Sequence, residues 1–477
     1  MNRSSGVLMH ISSLPGDFSI GSFGDEAKEF IDYIKECGFS YWQVLPFCMI
    51  DECNSPYKSY SAFGGNPYFI DLKTLHKKGL LTDEELTLQK QKTPYCCEYE
   101  NLFNNRINLL KKASLKTYEK EKIKKFILEN DEISKFCEYM ALKDANENKP
   151  WYEWTEKKIS DEVLFMWQFI QYEFFVQWKN IKDYANDNGI KIIGDMPIYV
   201  SHDSSDVWSN QKEFLLDENG VCTDVAGVPP DYFSTEGQLW GNPLYDWDVM
   251  KKNGYTWWKK RISHMVNMFD GIRIDHFRAF DSFWSVKSTE KTAKNGVWKK
   301  GPGIDFINEI KKLIGDKLII AEDLGDISES VVKLVNDSGF PGMRVFQFAF
   351  LGDKSSPHLP HNYIKNCVAY SGTHDNNTLL GYFWELDNNT RKNMLDYCGY
   401  TSENWEAGYD SILRVLMQSP ADLVILPIQD LLGYGCDTRL NIPGKPEGNW
   451  TFRITREQLY SIDKNKFEHY NLLYSRC

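Results

Sequence analysis

The sequence is most informative at first in what it lacks. No segment approaches the roughly 18 consecutive apolar residues that a membrane-spanning helix needs. The first ten residues, MNRSSGVLMH, carry one positive charge and no long apolar run, so they do not read as a secretory signal. The 11 cysteines are scattered: Cys48 and Cys53 make one near-pair, Cys96 and Cys97 are adjacent, and no C-x-x-C or H-E-x-x-H occurs. Neither a structural zinc site nor a disulfide framework is expected, and the thiols read as reduced and cytoplasmic. No G-x-G-x-x-G or Walker A sequence is present, so the usual mark of an open nucleotide-binding sheet is missing. There is no short-period repeat and no low-complexity tract. A basic excess is also absent. With 55 Lys+Arg against 67 Asp+Glu the formal net charge is -12, which argues against a nucleic-acid backbone or an anionic membrane as partner.

What is present is an α/β pattern in 477 residues of ordinary hydrophobic (42%) and charged (26%) content. One unit recurs: an amphipathic helix, a Gly or Asp stop, then a short β-rich run. Asp25–Cys37 reads as helix with Gly38 as its stop and Tyr41–Leu45 as strand. Asp161–Asn188 reads as helix, stopped by Gly189 before the strand Ile190–Ile193. Helices 304–314, 329–337 and 405–417 precede strands Leu318–Ala321, Met343–Phe348 and Leu423–Leu426. Gly6–His10, Gly271–Ile274 and Cys367–Tyr370 complete eight strand candidates. Such alternation implies parallel strands with right-handed crossovers, and eight units are what a (β/α)8, or TIM, barrel requires. The whole chain reads as one catalytic barrel with two additions. Residues 73–150 form a helical insertion, with Thr82 and Glu85 as a capping box and Phe103, Ile107 and Leu110 on one face, as are Ile133, Phe136 and Met140. Residues 201–250 form an aromatic-rich loop insertion over the expected active site, and an irregular stretch of that length is usually functional.

Four acids fall at or just beyond the ends of four strands: Asp195, Asp275, Glu322 and Asp375. One acid there is more often a loop starter or helix cap than a catalyst. Four converging on the C-terminal face of a barrel repel one another, which drives their pKa values apart. Arg273, two residues before Asp275, points the same way on a strand and keeps Asp275 ionised. A carboxylate pair with split pKa values is the equipment for glycoside chemistry. A carboxylate cluster also suits Mg²⁺ or Ca²⁺, but Arg273 and His374 beside the acids disfavour a metal, and none is expected.

The runs GIRIDHFRAF (271–280), IIAEDLG (319–325) and SGTHDNNT (371–378) resemble the short catalytic regions of the α-amylase clan. SPYKSYSAFGGNPYFID (55–71), GDMPIYV (194–200), PPDYFSTEGQLWGNPLYDW (229–247) and LNIPGKPEGNW (440–450) narrow the resemblance to the 4-α-glucanotransferase family, also called amylomaltase or disproportionating enzyme. It extends from HISSLPG (10–16) almost to the C-terminus. By that resemblance Asp275 is the nucleophile, Glu322 the general acid/base, and Asp375 a third carboxylate that holds sugar hydroxyls. Arg273 and His374 are the flanking cations, Asp195 is a sugar-binding carboxylate, and Tyr57, Gln238 and Trp240 contact glucose units. The resemblance further implies no separate C-terminal β-sandwich domain, no cofactor, and maltooligosaccharides and α-1,4-glucans as partners. Many α-amylases carry a His shortly after the counterparts of Asp195 and Asp275. Here Val200 and Ala279 stand near those places, which counts against amylase-like hydrolysis.

The aromatic content, 14% with 15 Trp, exceeds what a core needs. Tyr57, Tyr60, Phe63 and Tyr68 crowd one early loop, and Tyr232, Phe233, Trp240, Tyr245 and Trp247 crowd another, where flat rings suit the C–H faces of pyranoses. Tyr57 and Trp240 are expected to touch sugar; for Tyr60, Tyr68 and Tyr245, packing within their own loops is at least as good a reading. His276 is expected to pack rather than to catalyse, Asp326 to cap the helix after Glu322, and the role of Asn441 stays open. The expected activity is transfer between α-1,4-glucans, with an α-glucan hydrolase and a noncatalytic glucan-binding protein as the rival readings.

Overall fold

Short aliphatic runs following glycine-stopped helices become the strands of a closed barrel. In the computed structural model, which describes residues 2–51, 53–230, 235–402, 404, 408–445 and 447–477, the strands in chain order are β1 (Ser4–Leu8), β2 (Tyr41–Gln43), β3 (Lys191–Met196), β4 (Asp224–Val228), β5 (Gln238–Pro243), β6 (Gly271–Ile274), β7 (Ser282–Lys287), β8 (Val297–Lys300), β9 (Leu318–Ala321), β10 (Gly342–Val345), β11 (Cys367–Tyr370) and β12 (Leu423–Pro427). Eight of them close in the order β1-β12-β11-β10-β9-β6-β3-β2, and every neighbouring pair is parallel. This is the (β/α)8 barrel expected from the alternation. β1 lies two residues earlier than its apolar run predicts. β10 stops at Val345, where the chain tightens into a 3₁₀ turn, Phe346–Phe348. The helix stops behave as their residue types dictate: Gly189 and Gly339 sit at φ +79° and +71°, a region that costs a side chain about 1–2 kcal/mol.

A layer of aromatic rings fills the space between barrel and outer helices. Phe47, after β2, meets Trp178 of the helix Asp161–Asp187 at 4.7 Å and Phe269, before β6, at 5.2 Å; Phe23, Phe69 and Phe174 extend the cluster. The backbone at Gly194 passes so close to this layer that a Cβ there would stand 2.3 Å from the Phe269 ring. Glycine thus lets β3 approach the layer one residue before Asp195. Much of the aromatic surplus therefore serves packing. Phe63, Tyr68 and Tyr245 are buried, Tyr68 edge-on to Phe103 and Tyr245 with its hydroxyl on the Ile198 carbonyl. Trp247 stacks on Trp258. Tyr232 and Phe233 lie outside the described residues.

Within 73–150 the helices Tyr99–Lys116, Lys120–Glu129 and Asp131–Ala145 pack on Asp161–Asp187, and the Thr82–Glu85 capping box is formed. Within 201–250 the segment read as loop carries the helix Ser205–Ser209 and strands β4 and β5. These join β7 and β8 in a four-stranded antiparallel sheet, order β5-β4-β7-β8, beside the barrel mouth. After β12 the described residues form helices and loops and no strand. Among the described residues no helix is long and apolar enough to cross a membrane.

Candidate active site

Strand register brings the predicted residues together. Asp195 on β3 and Arg273 on β6 are register partners, so their side chains leave the sheet side by side. One guanidinium nitrogen of Arg273 donates to both Asp195 carboxylate oxygens at 2.8 Å. Its other terminal nitrogen lies 3.0 Å from Asp275 Oδ1, immediately past the end of β6. Arg273 and Asp195 are almost fully buried, whereas the Asp275 side chain is 28% exposed and reaches the cavity. The charge of Arg273 is held between two carboxylates, which raises its pKa further despite burial.

Glu322 follows β9, the neighbour of β6. It is 8% exposed and accepts two backbone hydrogen bonds of 2.7 Å, from the His276 and Leu324 N–H groups. His276 can donate because its backbone is left-handed (φ +51°) at the start of the 3₁₀ turn Phe277–Phe280. Its ring sits edge-on to Trp240 at 4.8 Å, so His276 does pack, and it also fixes Glu322 through its main chain. Burial pushes the Glu322 carboxyl up to about 7, with Arg273 opposing and the Asp275 charge adding. Burial likewise raises Asp275, to about 6, against the pull of Arg273 and with Asp195 and Asp375 adding. The two groups form one coupled acidic pair.

Beyond β11 the loop 371–378 presents His374 and Asp375. Their side chains pair at 3.2 Å, and Asn441 donates to Asp375 Oδ1 at 2.6 Å. Burial would raise Asp375, but His374, Asn441 and Arg273 outweigh it and hold the carboxylate well below its usual range. Burial would lower His374, but Asp375 raises it above an ordinary histidine. Tyr57 stacks on the His374 ring at 5.0 Å and donates to Asp195 at 2.7 Å, linking the two halves of the site. Gln238 and Trp240 stand on β5, with Trp240 Nε1 donating to Gln238 at 3.2 Å.

These groups surround a cavity of about 680 Å³, lined by Asp275, Asp375, His374, Tyr57, Gln238, Trp240 and Asn441. Asp195, Arg273 and Glu322 lie behind its wall. Of the remaining loop aromatics among the described residues, only Tyr60 lines it. Sequence reasoning did not single out Trp450, Tyr199 and Tyr152, which also line it. Trp450 sits 5.9 Å from both Tyr57 and His374. Asn441, whose role was open, is a direct partner of Asp375. Asp326 does not cap the following helix; the Ser328 hydroxyl does, accepting from the Val331 N–H, and the Asp326 carbonyl takes a bond from Arg278. Among the described residues no three His, Cys, Asp or Glu side chains are grouped to hold a metal ion.

A parallel eight-stranded barrel with an acidic pair and a third carboxylate at the C-terminal strand ends defines a class, the (β/α)8 enzymes with carboxylates gathered at the barrel mouth. The family model described as 4-alpha-glucanotransferase matches residues 9–458, and the chain belongs to that family. The 4-alpha-glucanotransferase of Clostridium butyricum is 44% identical to it over 98% of this chain and 100% of the relative. That of Thermus thermophilus is 38% identical over 96% of each. Among solved structures, the amylomaltase from Streptococcus agalactiae in complex with acarbose superimposes with a TM-score of 0.95 at 38% identity, over 99% of both chains. The amylomaltase from Corynebacterium glutamicum, at 17% identity, shares the fold with a TM-score of 0.84 over 100% of this chain and 75% of that one.

Proposed function

We propose that the protein transfers a segment of an α-1,4-glucan to the 4-hydroxyl of glucose or of another glucan by retaining double displacement. Asp275 attacks the anomeric carbon while protonated Glu322 gives its proton to the glycosidic oxygen; the C–O bond breaks, the shortened glucan leaves, and a glycosyl ester forms on Asp275. Glu322, now ionised, takes the proton of the incoming 4-hydroxyl, whose oxygen displaces Asp275. The observation that carries this reading is the division of labour in the acidic pair. Arg273, 3.0 Å from Asp275, favours charge on the nucleophile, while burial of Glu322 favours the proton there. Asp375 and His374 hold sugar hydroxyls, and Tyr57, Gln238 and Trp240 hold neighbouring rings; Asp195, expected to bind sugar, is instead fully buried behind the wall, where it holds Arg273 and Tyr57 in place. Transfer prevails over hydrolysis when the acceptor sugar is held better than water, and the rings of Tyr57, Trp240, Tyr199 and Trp450 around the cavity support that preference. The chain acts as one catalytic barrel with its insertions 73–150 and 201–250. Its free thiols suit the cytoplasm.

With maltotriose as sole substrate, glucose and a ladder of longer maltooligosaccharides appear while total reducing ends stay constant. A steady rise in reducing ends would replace transfer by hydrolysis. The pH dependence follows from the pair. Activity needs Asp275 ionised and Glu322 protonated, so kcat/KM on maltotriose is bell-shaped, highest between about 6 and about 7. It falls below that window as Asp275 gains a proton and above it as Glu322 loses one. A profile still flat at alkaline pH contradicts the assignment of Glu322 as the acid.

A further inference from the structure

Resting on the transfer reading, we infer that Tyr152 and His202 form a further sugar subsite, a stacked aromatic platform that binds a glucose ring of the glucan away from the reacting bond. Both residues line the cavity that holds Asp275 and Asp375. Their rings stack at 4.6 Å and 13°, and Tyr152 remains 41% exposed. Its neighbour Trp151, by contrast, is covered, at 9%. An exposed flat ring on a cavity wall offers its face to the C–H face of a pyranose.

The platform is rigid before any ligand arrives. His202 Nε2 donates to the Gly220 carbonyl at 2.7 Å; burial lowers the imidazole pKa, with that bond and Asp203 opposing. Trp151 stands edge-on to both rings and donates from Nε1 to the His202 carbonyl at 2.7 Å. Gly220, with φ +78°, lies so near Trp151 that a Cβ would stand 2.5 Å from the indole. Little conformational freedom is left to lose on binding.

A polar group for sugar hydroxyls stands on the same wall. Asp203 is held by Lys143 Nζ at 2.6 Å, Tyr139 Oη at 2.5 Å and the Trp151 N–H at 3.1 Å, yet its side chain is 24% exposed. A carboxylate has lone pairs left after those bonds. A neutral flat ring with hydroxyls at its rim meets both platform and carboxylate. Tyr152 comes from the 3₁₀ turn Trp151–Glu153 that immediately follows the helical insertion, and Lys143 and Tyr139 from the insertion's helix Asp131–Ala145. The insertion thereby takes part in selecting glucan length.

The test is kcat/KM against donor length, from maltotriose to maltoheptaose, for the wild-type protein and for Tyr152→Ala, Tyr152→Leu and Tyr152→Phe. Losing the flat face lowers the maltoheptaose-to-maltotriose ratio about tenfold in the Ala and Leu variants, through KM rather than kcat, because a remote contact binds ground state and transition state alike. The Phe variant keeps the wild-type profile. If the Ala and Leu variants, with unchanged melting temperatures, retain the wild-type length profile, the subsite is wrong. A wild-type protein that makes no ladder from maltotriose would instead overturn the transfer reading and the subsite with it.

Discussion

Glu322→Gln slows maltotriose disproportionation by at least ~10³-fold and leaves the first chemical step intact on a donor that needs no acid. The amide keeps the shape of the side chain and one acceptor for the His276 and Leu324 N–H groups that now grip the carboxylate. It has no proton to give to a glycosidic oxygen. An α-maltosyl fluoride leaves as fluoride without protonation, so the variant should still release it. The second step has no base, so release stops after about one equivalent unless a nucleophile such as azide, which needs no deprotonation, is supplied. The contrast between the two donors separates lost acid catalysis from a damaged fold. Equal loss on both donors would remove Glu322 from the acid role. A noncatalytic glucan-binding protein would show no activity to lose.

Asp275→Asn abolishes transfer from both donors, by at least ~10⁴-fold, since no ester can form. The variant should nonetheless be as stable as the wild type or more so. The pKa of Asp275 is raised in the folded protein to about 6, so its charge costs stability at pH above its unfolded value near 3.8, and the cost is fully present above the folded value. Removing the charge relieves repulsion from Asp195 and Asp375, and Arg273 keeps its two bonds to Asp195. Activity lost with an unchanged or higher melting temperature at pH 7 is the expected pairing. A large drop in melting temperature would make Asp275 structural.

The part of this molecule that local sequence determines was legible in it. Each barrel strand is a short run of apolar residues contiguous in the chain, so three of them, β6, β9 and β11, fall where their residues predict. The four acids were legible for the same reason: each is at or just beyond a strand end. The β5-β4-β7-β8 sheet was not, because its strands come from two segments separated by two helices and β6. β8, VWKK, is largely exposed and lacks an apolar alternation. Partners set by tertiary approach were equally hidden. Asn441 reaches Asp375 across 66 positions, and the stacked Tyr152–His202 pair spans the helix Asp161–Asp187 and β3. The aromatic surplus was visible, and so were the packing of Tyr68 and Tyr245 and the place of Tyr57, but not that Tyr60, Tyr152, Tyr199 and Trp450 would line the cavity. That depends on which side of each loop the barrel occupies.

The transfer reaction turns on the covalent step, and one measurement tests it. Glu322→Gln is incubated with α-maltosyl fluoride, quenched in acid, digested and analysed by mass spectrometry. The prediction is a single maltosyl adduct on the peptide that carries Asp275, formed with one equivalent of fluoride and lost when azide is added before quenching. Fluoride release with the adduct on another residue, or with no adduct on any peptide, would contradict it.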